Sequence, residues 1–343
     1  MKTLKRLGFI IGAIIVFFLT INIIPPTKVV KDNPFISKDG TTMIAAHRGG
    51  KINNPENTMK AFKAAVNEYE VDILESDLYL TKDGYLVYNH DSYIDRTCDV
   101  NGDISYEEVK DLPKSDRHYI KDYTLEELRE FNFGYYFEDK DDNRIYKDVV
   151  SFDDPSRKEI LRQNDLQIVE ASELFEMFYN THKDLLFIVE IKNSDEEGRK
   201  AVDTLYEMLK SSYPDYLDNI VIGTFHTEIE EYLEKSYKEE LFRGASTGGA
   251  AKFIITEMLK VNIFDNSSFA CLQITTEYEI KGIEIELDKK AYINRAHRRN
   301  IAVQYWTINE ADDMRELIRL GCDAIMTDNP KLLKEVLEDM NQR

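Results

Sequence analysis

Short apolar runs alternate with helical stretches along most of this chain, and this alternation limits the folds that it can adopt. Clear runs include residues 43–46, 185–191 and 301–308. A strand that is joined to a parallel neighbour through a helix forms a right-handed βαβ unit. About eight such units predict an α/β fold of the (β/α)8 TIM-barrel type. The alternative is a doubly wound open sheet, but the chain has neither a GxGxxG nor a GxxxxGK[ST] loop.

A basic and then apolar segment precedes the alternating region. Lys2, Lys5 and Arg6 come before an apolar run at residues 7–24, which is close to the minimum length of a membrane-spanning helix. No small-x-small cleavage pattern follows, so we favour a retained transmembrane helix over a cleaved signal peptide. The basic residues favour a single-pass protein at the cell membrane with its domain outside the cytoplasm. The predicted divisions are 1–24 for the anchor or signal segment, 25–41 for a linker and 42–343 for the barrel.

Composition excludes two classes of function. The formal net charge is −20, and no basic stripe offsets it, so the chain is not expected to bind nucleic acid. The three cysteines, Cys98, Cys271 and Cys322, are scattered without CxxC spacing. We therefore predict unpaired thiols rather than a disulfide framework or a thiolate metal site.

Three carboxylates are candidate metal ligands. Glu75 and Asp77 are two residues apart on a predicted strand, so both side chains leave the same face. Glu190 ends an otherwise apolar strand, where a lone charge is costly unless it is paired or bound to a metal. Oxygen ligands of this kind suit Mg²⁺ or Ca²⁺. The alternative interpretation is that the first two carboxylates face solvent at a strand end.

Two histidines, His47 and His90, end two different predicted strands near these carboxylates. Because the unperturbed pKa of histidine is about 6.5, the pair can act as general acid and general base at neutral pH. We interpret the remaining histidines as structural, with His226 as the least certain. Arg48 and Lys192 are candidate phosphate ligands, although Lys192 would also serve simply to neutralise Glu190.

Aromatic residues offer further candidate contacts. Trp306, the only tryptophan, lies at a predicted strand end and forms either part of the core or an apolar wall against a ligand. An insertion at about residues 92–164 follows the third predicted strand and carries an aromatic patch at 131–137. These aromatics either pack the insertion onto the domain or form a lip over the site. The segment Thr327-Asp328-Asn329-Pro330 is interpreted as mainly structural.

The order of these motifs resembles the glycerophosphodiester phosphodiesterase family. The resemblance covers about residues 43–335 and is carried by the following motifs: His47-Arg48-Gly49, Pro55-Glu56-Asn57-Thr58, Glu75-Ser76-Asp77, Thr81-Lys82-Asp83-Gly84, His90-Asp91, Glu190-Ile191-Lys192, Trp306-Thr307-Ile308-Asn309 and Thr327-Asp328-Asn329-Pro330. It implies a TIM barrel whose metal is held by Glu75, Asp77 and Glu190. It also implies acid/base roles for His47 and His90 and phosphate binding by Arg48 and Lys192. Thr224 and the stretch at 95–99 depart mildly from the family pattern and bear on substrate choice.

The resemblance implies hydrolysis of a glycerophosphodiester, a small-molecule substrate, to glycerol 3-phosphate and an alcohol. A second hypothesis is phospholipase D-type cleavage of a lysophospholipid or sphingolipid on the same fold, which an anchored protein would meet at the membrane. A third is a catalytically silent binding module. The intact set of histidines and carboxylates argues against this last hypothesis, because a silent domain has no need to keep buried charges.

Overall fold

The computed structural model describes residues 2–23, 28–238, 240–261, 265–280 and 282–343. The strands are β1 (Met43–Ala46), β2 (Ile73–Leu80), β3 (Leu86–Tyr88), β4 (Leu186–Ile191), β5 (Ile220–Gly223), β6 (Phe242–Arg243), β7 (Cys271–Ile274), β8 (Glu277–Ile280), β9 (Ile283–Glu286), β10 (Ala302–Tyr305) and β11 (Ala324–Thr327). The helices are α1 (Lys2–Ile23), α2 (Met59–Asn67), α3 (Tyr106–Lys110), α4 (Leu125–Leu128), α5 (Arg157–Gln163), α6 (Ala171–Tyr179), α7 (Asp195–Ser212), α8 (Thr227–Ser236), α9 (Thr247–Met258), α10 (Lys290–His297), α11 (Ala311–Leu320) and α12 (Pro330–Asp339).

Parallel strands form the body of the domain. In the described part of the chain, eight of them lie in the order β6-β5-β4-β2-β1-β11-β10-β7. A bridge between Gly244 and Cys271 brings the two outer strands, β6 and β7, together, so the sheet curls into a nearly closed barrel. The predicted TIM-barrel fold is therefore confirmed.

The barrel strands other than the short, partly exposed β6 bury both of their faces. Outward-facing residues such as Leu74, Leu78 and Val189 pack against the surrounding helices in the larger core cluster. Inward-facing residues such as Ile73 and Ile188 pack with Phe35 inside the barrel. Because side chains alternate along a strand, the inward positions of β2 and β4 continue from apolar residues to charged ones toward their carboxyl ends. The barrel is thus apolar at one end and charged at the other.

The third strand does not belong to the barrel. β3 pairs antiparallel with β2, with Leu78 opposite Tyr88. The turn at Thr81-Lys82-Asp83-Gly84 is the cause, since a turn this short can join only antiparallel strands. His90 therefore ends the returning arm of a hairpin that rises above the barrel. His90 thus follows a strand other than that of His47, as expected, but this strand runs antiparallel to its neighbour β2.

The insertion predicted at about residues 92–164 follows β3 and has its own small core. Its buried residues pack against Val87 and Ile168 and include Ile94, Leu128 and Phe133. The predicted capped helix is present as α4, whose capping box joins Thr124 and Glu127. Phe133 and Tyr135 of the aromatic patch are buried, and the hydroxyl of Tyr135 donates to Asp103 over 2.9 Å. The patch therefore packs the insertion rather than standing free of it.

Residues 28–41, within the predicted linker, lie across the apolar end of the barrel. The Val30 amide donates to the Arg299 carbonyl over 2.9 Å, and the Asn33 side chain donates to the Ala270 carbonyl over 2.8 Å. The amide of Ser37 donates to Asp323 over 2.9 Å, and Phe35 is fully buried. These partners all precede the barrel strands, so the chain enters at the end opposite to the charged residues.

The predicted transmembrane helix is not supported. α1 spans Lys2–Ile23, but among the described residues no helix is long and apolar enough to cross a bilayer. Lys2, Lys5 and Arg6 lie within α1 and shorten its uninterrupted apolar part. The location at the cell membrane, which depended on this helix, stays a prediction.

One hairpin was not predicted from the sequence, whereas the prediction of unpaired cysteines is confirmed. β8 and β9 form a separate two-stranded antiparallel sheet after β7. Its strand signal was overlooked because the glutamates that alternate with tyrosine and isoleucine resemble a polar connection. Cys98, Cys271 and Cys322 are all free and buried, as predicted.

Candidate active site

The three predicted carboxylates meet inside the charged end of the barrel. Asp77 and Glu190 are register partners on the adjacent strands β2 and β4. Glu75 lies one inward position before Asp77, and each of the three side chains offers an oxygen atom within 4.8 Å of the others. Glu75 and Asp77 are almost completely buried, which excludes the interpretation that they face solvent. The cluster can hold a hard divalent cation.

Electrostatics within this cluster disfavour three bare negative charges. Burial raises the pKa of Glu75 well above its usual range, and the nearby Asp77 and Glu190 raise it further. Burial also raises the pKa of Glu190, against the opposing effect of Lys192. A bound cation would relieve this repulsion and return both carboxylates to the charged form.

Lys192 lies between two members of the cluster. Its Nζ is 2.8 Å from Glu190 Oε1 and 3.1 Å from Asp77 Oδ1. Burial lowers the pKa of Lys192, but the two carboxylates more than offset this, so the pKa lies above its usual value. The ammonium group therefore offsets part of the negative charge of the cluster.

The turn after β1 carries His47 and Arg48. Residues His47–Gly49 form a single 3-10 turn in which Arg48 has a left-handed backbone with φ of 53°. This conformation directs the Arg48 amide to Glu75 Oε2 over 2.8 Å. The Arg48 guanidinium donates to Glu56 over 3.2 Å, and its Nε lies 3.6 Å from Asp77 Oδ2. The predicted phosphate ligand is thus next to the carboxylates.

Asp328 orients His47, whereas we interpreted its segment from the sequence as mainly structural. His47 Nδ1 is 2.5 Å from Asp328 Oδ1, and the second oxygen of Asp328 accepts from Asn309 over 2.9 Å. An ionised carboxylate can only accept, so Nδ1 carries the proton and Nε2 is left as an acceptor. Burial lowers the pKa of His47, although the bond to Asp328 opposes this, so the neutral ring is favoured. Asp328 has the inward parity of Ala324 and Met326 in β11, and this signal could have identified it.

His90 approaches the same site from the hairpin. The Asn89 amide donates to the Asp77 carbonyl over 2.9 Å, which holds the end of β3 beside the carboxylate cluster. His90 Nδ1 is 3.0 Å from Asp91 Oδ1, and the ring is partly exposed. His90 is therefore nearer to the solvent than His47.

Two aromatic side chains lie at the mouth of the barrel. Phe225, which follows β5, is 63% exposed, and its ring centroid is 6.3 Å from that of Trp306. Lys192 Nζ lies 6.0 Å from the centre of the Phe225 ring. Trp306 is partly buried, and its Nε1 has no hydrogen-bond partner among the described residues. Both predicted roles, core residue and apolar wall against a ligand, are compatible with this position. His226 Nε2 is 3.1 Å from the Lys192 carbonyl oxygen, which agrees with a structural role for that ring.

The sequence matches the family model of the glycerophosphoryl diester phosphodiesterase family over residues 47–332. The chain belongs to this family. The resemblance predicted from the motifs is thereby confirmed, and so is the assignment to the phosphoric diester hydrolases.

Two curated relatives and one solved structure show how the chain relates to its family. It is 27% identical over 309 residues to a glycerophosphodiester phosphodiesterase of Caldanaerobacter subterraneus, covering 85% of this chain and 96% of that one. It is 26% identical over 320 residues to a human lysophospholipase D, covering 91% and 89% of the two chains. The fold is similar to that of an Oleispira antarctica phosphodiesterase solved in complex with the product sn-glycerol-3-phosphate. That match has a TM-score of 0.59 and 19% identity and covers 87% of this chain and 97% of the other.

Proposed function

We propose that this member of the glycerophosphoryl diester phosphodiesterase family hydrolyses glycerophosphodiesters to glycerol 3-phosphate and an alcohol, with the help of a divalent metal. The observation that carries the proposal is the convergence of Glu75, Asp77 and Glu190 beside two histidines and two cations. The family match and the relative from Caldanaerobacter support the choice of substrate.

The carboxylate cluster fits a divalent cation by its donor chemistry. Glu75, Asp77 and Glu190 would hold Mg²⁺ or Ca²⁺, which prefer oxygen ligands and leave positions for substrate oxygens. When bound, the cation would offset the charge that develops on the phosphoryl oxygens. The raised pKa of Glu75 supports this fit, since burial and the neighbouring Asp77 and Glu190 disfavour its charged form even with Lys192 beside the cluster.

Arg48 and Lys192 supply the protein's own positive charge to the substrate phosphate. Both side chains are about nine-tenths buried and lie within 4 Å of Asp77, so they are already desolvated before the substrate arrives. The planar guanidinium of Arg48 can donate two parallel hydrogen bonds to phosphate oxygens. The Nε of Arg48 is buried, has no hydrogen-bond partner among the described residues and lies 3.6 Å from Asp77 Oδ2.

His47 and His90 divide the proton transfers. His47 is buried, favours the neutral ring and keeps Nε2 as an acceptor, so it takes the proton from the attacking water. As the oxygen of that water bonds to phosphorus, the bond from phosphorus to the alcohol oxygen breaks. The protonated ring of His90 then gives its proton to the alcohol oxygen. The reaction consumes one water and returns both histidines to their starting states once a proton passes between them through solvent.

An activity screen tests the proposal. The full chain is incubated with a panel of glycerophosphodiesters, including glycerophosphocholine, glycerophosphoethanolamine and glycerophosphoglycerol, with Mg²⁺, Ca²⁺ or excess chelator. We expect glycerol 3-phosphate to be released from at least one diester, to stop with chelator and to return with metal. Full activity in chelator would exclude the metal role, and no release from any diester would exclude the proposed substrates.

Lysophospholipase D activity is the second candidate, because a human lysophospholipase D matches 91% of this chain. Glycerophosphocholine and lysophosphatidylcholine distinguish the two functions. Release of glycerol 3-phosphate from the first substrate supports the main proposal. Faster release of choline from the second, with lysophosphatidic acid as the other product, would favour the alternative.

A further inference from the structure

Arg96, on the insertion, holds two carboxylates at the edge of the active site. Its Nε donates to Asp91 Oδ2 over 2.6 Å. Its two terminal nitrogens donate to the two oxygens of Glu56 over 2.9 and 2.6 Å. We call the set Glu56, Asp91 and Arg96 the Arg96 brace. One guanidinium group thereby joins the insertion to both the turn before α2 and the end of the β2–β3 hairpin.

Each carboxylate of the brace also contacts a residue of the proposed chemistry. Asp91 Oδ1 lies 3.0 Å from His90 Nδ1. Glu56 Oε1 accepts from the Arg48 guanidinium over 3.2 Å. The proposed acid and the proposed phosphate ligand therefore end the two arms of one hydrogen-bonded network that has Arg96 at its centre.

The charges of the brace are well matched. Burial raises the pKa of Glu56, but the hydrogen bonds and charge of Arg96 more than offset this and lower it to about 2. Hydrogen bonds from His90 and Arg96 likewise hold the pKa of Asp91 below its usual range, against the effect of burial. Both carboxylates are therefore charged at neutral pH and can accept from two donors at once. Lysine cannot replace Arg96 here, because an ammonium group lacks the rigid fork that reaches both partners.

We propose that Arg96 is a positioning residue, which sets His90 toward the leaving alcohol through Asp91 and Arg48 toward the phosphate through Glu56. This inference rests on the proposed function and adds to it a role for the insertion. The insertion is then a part of the active site, since its removal would release both arms of the network.

Kinetics with two leaving groups test the proposal. Arg96→Lys keeps the charge but not the three hydrogen bonds, so His90 is no longer held in place. With glycerophosphocholine, whose leaving alcohol needs a proton, we expect kcat to fall by about tenfold to a hundredfold. With the p-nitrophenyl ester of glycerol phosphate, whose leaving group needs little help from an acid, loss of the His90 arm matters little, so we expect a clearly smaller fall in kcat, which reports the Arg48 arm alone.

Arg129→Lys is the matched control. Arg129 also lies on the insertion and also bridges two carboxylates, Glu126 and Glu173, neither of which contacts the site. We expect this variant to retain the wild-type kcat with both esters. Equal losses of kcat on the two esters in Arg96→Lys, or no loss on either, would overturn the positioning role.

A measurement on the resting protein keeps this test independent of the proposed substrate. In the protein labelled with ¹⁵N-histidine, the ring signals of His90 are assigned by their loss in His90→Gln, which is practical because the chain has six histidines. We expect Arg96→Lys to shift or broaden the His90 signals and to leave those of His47 unchanged. Unaltered His90 signals would overturn the proposal whether or not glycerophosphodiesters are hydrolysed. If the wild type hydrolyses neither ester, the proposed function fails, and these spectra alone decide the role of Arg96.

Discussion

Glu190 lies in a strand whose other residues are apolar, and its carboxylate is the member of the metal cluster nearest to solvent. Glu190→Gln keeps the size of the side chain and removes its charge. We expect the affinity for Mg²⁺ and for Ca²⁺ to fall by about tenfold or more. Mutating a residue that only orients a metal ligand already lowers metal affinity by about this factor. Isothermal titration calorimetry measures the change, with the exposed Glu207→Gln as control. Unchanged titration curves would show that Glu190 is structural.

The pair His47 and Asp328 makes a second prediction at the scale of single residues. We expect His47→Ala to lower kcat by about a hundredfold or more, as is typical of lost acid/base catalysis. Asp328→Asn should also lower kcat, because Asn no longer fixes the proton on Nδ1. If Asp328 acts through His47, the double variant will be no slower than His47→Ala. Losses that multiply would assign Asp328 an independent role.

His297 gives a prediction about stability and pH. Its Nε2 lies 2.8 Å from Asp323 Oδ2, and this hydrogen bond raises the pKa of His297 above 6.5 despite partial burial. A histidine whose pKa is higher in the folded state stabilises the fold fully when the pH is below its unfolded-state pKa. This stabilisation is lost as the pH rises through its folded-state pKa. We therefore expect His297→Gln to reduce the free energy of unfolding more at about pH 6 than at about pH 8.5. Denaturant unfolding at the two pH values measures this, with His182→Gln as control, and an equal reduction at both would contradict it.

At this scale the sequence predicted residues that carry an obvious chemistry and missed those that act through a neighbour. Glu75, Asp77 and Glu190 stood out because charges on apolar strands are costly. Arg96 did not, because it lies in a polar loop where a charged residue needs no explanation, and Asp328 was passed over although it shares the inward parity of β11. Their roles follow from distances across the fold, which a single sequence does not contain.

Among the secondary-structure elements, the turn after β1 is the tightest part of the site. Gly50 has φ of 93°, and a Cβ atom there would lie 2.7 Å from Pro330 Cγ, at the start of α12. An alanine in the left-handed backbone conformation costs roughly 1–2 kcal/mol by itself. Because of the added contact with Pro330, we expect Gly50→Ala to reduce the free energy of unfolding by more than this. Gly102→Ala provides the comparison, because Gly102 has φ of 72° and no atom within 4 Å of the added Cβ. If denaturant unfolding shows equal reductions in the free energy of unfolding for Gly50→Ala and Gly102→Ala, Pro330 moves aside at no energetic cost.

The elements also show where a strand pattern is ambiguous. β3 was correctly predicted as a strand, but its direction is set by the four-residue turn before it. When the apolar runs were counted as barrel strands, β3 was included among them. β6 spans only Phe242–Arg243, and a strand this short can hardly be distinguished from a loop in the sequence. Both cases reflect the same limit, because the partner of a strand is decided by tertiary contacts and not by its own residues.

In the molecule as a whole, the barrel is weakest where it closes. β6 pairs with β5 through two residues, and the contact with β7 depends on the Gly244 bridge and on the amides of Ala245 and Ala270. Few backbone bonds at one seam favour local opening. We expect peptides covering residues 242–246 to exchange amide hydrogens faster than those covering β1 or β2. Hydrogen–deuterium exchange with mass spectrometry measures the rates, and equal protection on both sides of the barrel would contradict this.

The overall architecture was the most predictable level. Repeated alternation of strand and helix leaves few ways to bury every apolar face, and right-handed connections reduce these further. The insertion was predicted at about residues 92–164 because it interrupts this alternation. How it joins the site was not predictable, since the brace forms between residues that are distant in sequence.

Residues 30–37 fasten the chain to the starts of the barrel strands, while the carboxylates, His47 and the aromatic pair lie at or just beyond the ends of those strands. A molecule immobilised by its first residues on a bead or a sensor chip will therefore present its reactive opening to the bulk liquid. Capture through the N-terminus is the orientation to choose for measuring binding of small phosphodiesters.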